Sequence, residues 1–249
     1  MQKRYALLAD IHANVWALDA VINDAKNLGV MQFINLGDIL YGPLAPTATF
    51  ERLKSLNVMT IQGNQDRMIW QATVDDIQNN ETLNYVINDL SVEALDWLKN
   101  LPGQLDIDDE IYACHGAPDD DMIYLLEDIS SGQPILKKNR EISHYLNDVM
   151  KKVVLCAHTH IPRCVQLDNG QLVINPGSVG LPAYDDDAPV FHKMENGSPH
   201  ARYAIIENTP QGWIVEQRAI PYDHHAAADQ AKKIGRPDWE IGIRTGLMG

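Results

Sequence analysis

The chain is short of positive charge, with 20 Lys and Arg against 34 Asp and Glu and a formal net charge of −14. A protein that follows a long nucleic acid needs a basic stripe to displace condensed counterions, and no Lys/Arg cluster stands out here. The expected partner is therefore a small phosphorylated molecule, with extended DNA or RNA excluded, because a bound cation can dominate the field inside a cleft of an acidic protein. Long apolar runs are also missing. None approaches the roughly 20 residues of a membrane span, and the apolar run at 5–9 is too short for a signal peptide before Asp10 ends it. No membrane partner and a cytoplasmic location are expected. Cysteine is scarce: Cys114, Cys156 and Cys164 are odd in number and widely spaced, which reads as reduced thiols and not as disulfides or a zinc knuckle.

What is present is a large apolar fraction, 45% over 249 residues, enough for the core of one globular domain spanning 1–249. Through the first two thirds, apolar β-branched runs at 5–9, 32–36, 58–62, 111–114 and 153–157 alternate with helix-periodic stretches, the pattern of an α/β fold. A helix is predicted from about Val15 to Leu28, capped by Asn14 and stopped by Gly29. Others are predicted over 47–55 and from Ser91 to the Pro102-Gly103 break. The last third reads as antiparallel sheet. Asp168-Asn169-Gly170-Gln171 marks one hairpin, 203–207 and 213–220 form another, and a closing helix runs from an Asp223 cap to Ile234 before a break at Pro237. Two variable segments, 118–132 and 183–200, carry no assignable pattern.

Each of the five strand candidates is followed at once by a residue able to bind metal: Asp10 and His12, Asp38, Asn64, His115, then His158 and His160. Ligands of open α/β sheets bind outside the carboxyl ends of the strands, so residues far apart in sequence would meet in one crevice. Four imidazoles, two carboxylates and an amide oxygen, with no thiolate, suit Mn, Fe, Zn or Ni better than Ca or Mg. A single His or Asp at a strand end is more often a turn cap or a satisfied surface group. That plain reading fits His144, His192, His200, His224 and His225, which have no partner pattern. It fits poorly where suitable ligands follow five successive strands.

These residues sit in blocks that resemble the calcineurin-like metallophosphoesterase superfamily: Asp10-Ile11-His12-Ala13-Asn14, Gly37-Asp38-Ile39-Leu40-Tyr41-Gly42-Pro43, Gly63-Asn64-Gln65-Asp66, His115-Gly116-Ala117-Pro118 and Ala157-His158-Thr159-His160. A sixth block, Asn175-Pro176-Gly177-Ser178-Val179-Gly180, is similar to the small, single-domain prokaryotic branch. The resemblance implies a four-layer αββα sandwich, two mixed β-sheets flanked by helices. It implies one metal on Asp10, His12, Asp38 and His160, and a second on Asp38, Asn64, His115 and His158, with Asp38 bridging. Two such ions, with Mn the first expectation, would share a water, lower its pKa and stabilise in-line attack on phosphorus. Asp38 and Asn64 then border the attacking hydroxide.

Two positions depart from the family pattern. Where many relatives carry a His after the Asn of the third block, this chain has Gln65, an amide that cannot give up a proton near neutral pH. No general acid is assigned, with Asp66 the nearest carboxyl, and the expected leaving group is one that departs as a stable anion, as in a dinucleoside polyphosphate such as diadenosine tetraphosphate, or an activated aryl ester. After Gly180-Leu181-Pro182, where branch members continue with Arg, stands Ala183; Arg67 and Arg163 read as ordinary salt-bridge residues. The expected activity is hydrolysis of a small phosphoester or phosphoanhydride. Two other readings compete: a non-catalytic scaffold resembling the retromer subunit of this fold, which would have lost ligands, and a protein phosphatase, which usually relies on the missing His and on flanking arginines.

Overall fold

The structure is a computed structural model and describes residues 3–249. In chain order it begins with β1 (Arg4–Leu8), α1 (Val15–Asn27), β2 (Phe33–Asn35), α2 (Pro46–Lys54) and β3 (Val58–Thr60). Four helices follow, α3 (Asn64–Gln71), α4 (Val74–Asn79), α5 (Glu81–Asp89) and α6 (Val92–Lys99). Then come β4 (Gln104–Asp106), β5 (Ile111–Cys114), β6 (Glu127–Asp128), β7 (Ile135–Leu136), α7 (Asn139–Tyr145) and β8 (Val153–Leu155). The chain closes with β9 (Arg163–Gln166), β10 (Leu172–Asn175), β11 (Ala183–Asp186), β12 (His192–Glu195), β13 (Ala201–Thr209), β14 (Gly212–Ile220), α8 (His224–Lys233) and α9 (Pro237–Thr245).

Two five-stranded mixed sheets form, in the orders β14-β13-β1-β2-β3 and β4-β5-β8-β10-β9. Strands β1, β2 and β3 run parallel, as do β5, β8 and β10, while β13, β14, β4 and β9 are antiparallel additions. Strand alternation sorts the apolar side chains. Tyr5 and Leu7 of β1 face the second sheet, where they meet Ile111, Val153, Leu155 and Ile174. Ala6 and Leu8 face α1, with its buried Leu18, Val21 and Ile22. The outer side of the second sheet is covered by Ile142 and Leu146 at α7, together with Leu125 and Leu126. Three apolar layers separate four structural ones, so the αββα expectation holds. Strands buried on both faces need apolar residues at every position, which is why the parallel strands read as unbroken apolar runs.

The differences from expectation lie between these runs. Helices α3, α4 and α5 fill the span between β3 and α6, and Pro237 opens α9 instead of ending the fold, occupying its first turn where a missing N–H costs nothing. The segment 118–132 supplies part of the outer apolar layer. The segment 183–200 is mostly the β11–β12 hairpin.

Within each sheet the parallel strands point their carboxyl ends the same way, and the loops that follow them are packed backbone to backbone. A Cβ on Gly180 would lie 1.8 Å from the Ile11 carbonyl oxygen, whereas one on Gly103 would meet nothing within 4 Å. Gly180→Ala is therefore expected to lower unfolding free energy by about 3 kcal/mol, the upper range of overpacking, with Gly103→Ala within about 0.5 kcal/mol of the parent in denaturant titration.

Candidate metal centre

The loops after the strands adopt a conformation that ordinary side chains avoid. Six non-glycine residues have positive φ: Asp10 (51°), His12 (49°), Ala13 (58°), Asp38 (53°), His158 (70°) and His160 (60°). All but Ala13 were singled out as metal ligands from the sequence. Each such residue costs on the order of 1–3 kcal/mol and persists only where its surroundings over-determine it. Those surroundings are visible. The amides of Asp10, His12 and Ala13 donate to the carbonyls of Gly37, Asp38 and Ile39 at 2.8–3.0 Å, locking the first two loops together. The sixth sequence block works as a brace. Ser178 Oγ and the Gly180 amide both donate to the Asp10 carbonyl, and Asn175 Nδ2 donates to the Ala157 carbonyl and Thr159 Oγ1.

The side chains converge as two adjoining sets. Ligand atoms of Asp10, His12 and His160 lie within 4.8 Å of one another, and so do those of Asp38, His115 and His158. Asp10 Oδ1 is 3.6 Å from His160 Nε2 and 4.0 Å from His115 Nε2, so the sets share a wall. Asp38 Oδ2 is 3.4 Å from His115 Nε2, and its Oδ1 accepts the Gln65 amide at 2.9 Å. Asn64 opens α3 and lines the same cleft as Asp38, His158 and His160.

Carbonyl groups fix the imidazole tautomers. Nδ1 of His12, His115 and His160 faces the carbonyls of Tyr41, Leu36 and Leu181 at 3.1, 2.7 and 2.7 Å, so each Nδ1 carries a proton, and Nε2 of His12 and His160 presents a lone pair. His158 turns the other nitrogen outward, with Nε2 donating to the Met122 carbonyl at 3.3 Å, leaving Nδ1 free. The consequence is a conflict: His12 Nε2 and His160 Nε2 lie 3.0 Å apart, both as acceptors. A cation held between them would resolve it. Both Asp10 carboxylate oxygens, Asn64 Oδ1 and His115 Nε2 are likewise buried without a hydrogen-bond partner, a set of orphaned donor atoms that fits a metal centre.

Electrostatics describe the same strain. Burial pushes the Asp10 carboxyl well up, whereas the imidazoles of His115 and His12 outweigh burial and hold Asp38 well below the usual carboxylate range. Burial opposes charge on His115, but Asp38 and Asp10 win and hold it up to about 10. Burial with neighbouring imidazoles pushes His158 down to about 4, and His160 well down. Ligating a metal requires His115 neutral and Asp10 ionised, so these two groups must give up protons as a cation binds.

Other positions behave differently from the ligand candidates. Asp66 does not reach the cleft: its carboxylate accepts the amides of Gly63 (3.0 Å) and Ile39 (2.9 Å), with burial pushing it up to about 7, so it braces two ligand loops and is no proton donor to substrate. Arg67 pairs with Asp121 and Arg163 with Glu127. Ala183 is buried against α9, where a Cβ on Gly242 would lie 2.7 Å from its carbonyl oxygen. Gln65 lines the cleft with its buried side-chain oxygen unpartnered.

The sequence also gave no hint of Tyr124 and Tyr184, from the two unassigned segments. Their rings pack on His158 and His160 at 4.6 and 4.5 Å between centroids, and Tyr184 Oη donates to the His158 carbonyl at 3.1 Å. His192, read as an ordinary structural His, is buried and accepts the Tyr124 hydroxyl at 3.0 Å, because its Nδ1–H is held by the Val190 carbonyl. No spacing rule links Tyr124, Tyr184 and His192; only the folded loops do.

Residues 4–197 match the model of the calcineurin-like phosphoesterase superfamily domain. The chain belongs to this superfamily. The remaining residues are not foreign to it in space, since β13 pairs directly with β1. An uncharacterised protein of Methanocaldococcus jannaschii is 26% identical over 259 residues, covering 97% of each chain. A metallophosphoesterase from Sphaerobacter thermophilus has the same fold, with a TM-score of 0.77 at 24% identity over 99% of this chain and 100% of that one. Superfamily members depend on metal, and the two ligand sets here give that dependence a location.

Metal analysis after equilibration with Mn and dialysis is expected to find two ions per chain, with His12→Ala losing one and Asp38→Ala weakening both. At a free metal concentration about 100-fold above its dissociation constant, each ion should add roughly 2.7 kcal/mol of stability. Binding must expel the proton that His115 holds up to about 10, so affinity should rise with pH below that value and fall in acid.

Proposed function

We propose that the chain is a dinuclear metal-dependent phosphoesterase that hydrolyses small phosphodiesters or phosphoanhydrides. The observation that carries this reading is the pair of ligand sets sharing a wall, with two imidazole lone pairs opposed at 3.0 Å and a buried carboxylate left without partners. Asp10, His12 and His160 would hold one ion and Asn64, His115 and His158 the other, with Asp38 a ligand to both. When bound, two divalent cations, Mn first with Fe, Zn or Ni as alternatives, supply Lewis acidity that activates water and neutralises phosphoryl oxygens.

The protein's own groups then decide which bonds break. Hydrolysis joins the oxygen of water to phosphorus and releases the leaving group, which departs either protonated or as an anion. Gln65 stands where an acid would protonate it, and its amide has no proton to lend. Asp66 is committed to backbone amides. Leaving groups stable as anions, aryl oxides and phosphates, are therefore favoured. The protein-phosphatase reading loses support because Arg67 and Arg163 are committed to ion pairs with Asp121 and Glu127. All seven ligand positions are kept, which argues against a scaffold that has discarded its chemistry.

Turnover of a bis-aryl phosphate, a dinucleoside polyphosphate and an alkyl monoester with Mn checks the leaving-group rule. Either of the first two should exceed the alkyl ester, and a clear preference for the alkyl ester contradicts the reading. Gln65→His should raise alkyl-ester turnover by about 100-fold, the lower end of what a placed general acid contributes, and barely change the aryl ester.

A further inference from the structure

A cleft of about 830 Å³ opens over the two ligand sets, far larger than a phosphate group needs. Its walls come from α9, the 118–132 segment, the β6–β7 turn and the β11–β12 hairpin, and they have two characters. One is aromatic and apolar: Tyr41, Tyr124, Tyr184 and Trp239, with Ile129 and Val190. The other is acidic. Beyond the ligand candidates, Glu127, Asp128, Asp185, Asp186 and Asp238 line the cleft, against Lys137 and Arg236 as its two cations among the described residues.

Both cations are already engaged by neighbouring groups. Arg236 Nε donates to Asp238 at 3.0 Å, and its guanidinium lies 5.8 Å from the Trp239 ring centre. Lys137 Nζ donates to the Tyr124 carbonyl, sits 4.9 Å from the centre of the Tyr145 ring, and is half-buried there. Glu127 is matched by Arg163. By contrast Asp128, Asp185 and Asp186 are exposed and form no salt bridge among the described residues, their carboxylates capping only nearby amides where bonded at all. Two metal charges can accept one phosphoryl group, but each further phosphate of a polyphosphate adds negative charge that must lie along this acidic wall.

We infer that the cleft selects a phosphodiester of single negative charge whose non-leaving group is aromatic, an aryl or nucleobase-bearing ester seated on the tyrosine and tryptophan wall, and that Asp128, Asp185 and Asp186 reject polyphosphate chains. This assignment rests on the phosphoesterase reading above and narrows it. Aromatic groups gain from stacking on such a wall, typically about 0.5–1.5 kcal/mol beyond area burial. The polyanion meets repulsion that salt should partly screen.

The test uses Mn-loaded protein. Methyl nitrophenyl phosphate and phenyl nitrophenyl phosphate share a leaving group and differ only in the non-leaving one, so the phenyl ester should show a KM at least about 3-fold lower, a ratio equivalent to stacking of that size. A dinucleoside tetraphosphate should be turned over with a kcat/KM at least 10-fold below the phenyl ester, and Asp128→Asn/Asp185→Asn/Asp186→Asn should close that gap by about 10-fold, as should added salt. Each asparagine keeps the acceptor oxygen, so the loops retain their caps. Equal KM for the two diesters, or a tetraphosphate preference unchanged in the triple variant, overturns the assignment. Calorimetric binding of diphenyl phosphate and of the tetraphosphate separates the two claims. Tighter diphenyl phosphate with no turnover of any ester contradicts the hydrolase reading and keeps the cleft assignment. Tighter tetraphosphate overturns the assignment whatever the turnover.

Discussion

Two imidazole nitrogens, His12 Nε2 and His160 Nε2, face each other at 3.0 Å with no proton available to either, since each ring spends its N–H on a backbone carbonyl. A fold that buries such a repulsion beside an unpartnered carboxylate is not optimised for its own stability. It is arranged around a positive charge. The positive φ values at Asp10, His12, Asp38, His158 and His160 fall on the residues whose side chains turn inward to the two ligand sets and the cleft over them.

The rest of the molecule can be understood as support for that point. Parallel strands buried on both faces align their carboxyl ends, and the three apolar layers hold the two sheets face to face so that loops from both meet. The Asn175–Gly180 block ties the Asp10 and His158 turns together through side-chain and amide donors. Asp66 does the same for the Asp38 and Asn64 loops. Polar residues that touch no substrate are thus as necessary to the centre as the ligands, and tolerance for added side-chain atoms should be least where Gly63 and Gly180 allow close approach.

Much of this was legible in the sequence, for physical reasons. Parallel strands need continuous apolar runs, so β1, β2, β3, β5 and β8 stood out, and the residues after each run were the ligand candidates that the structure brings together. The Asp168-Asn169-Gly170 turn identified the β9–β10 hairpin through turn chemistry alone. Helices α3, α4 and α5 were not legible; α4 buries none of its side chains and so carries no apolar stripe, and α3 buries only Asp66 and Ile69. Helix α9 was missed because a proline reads equally as a break or a first-turn residue. Tyr124, Tyr184 and His192 lie in segments without periodicity, and their meeting depends on how two loops fold against each other. Those same segments build the cleft, so the sequence carried the family and its ligand positions plainly and the shape of the cleft hardly at all.

Whether two cations share one centre through Asp38 is read directly by electron paramagnetic resonance of the protein loaded with Mn. An exchange-coupled signal from a Mn pair is expected, converted to that of isolated Mn in His12→Ala. Only isolated, uncoupled Mn in the fully loaded parent protein would contradict it.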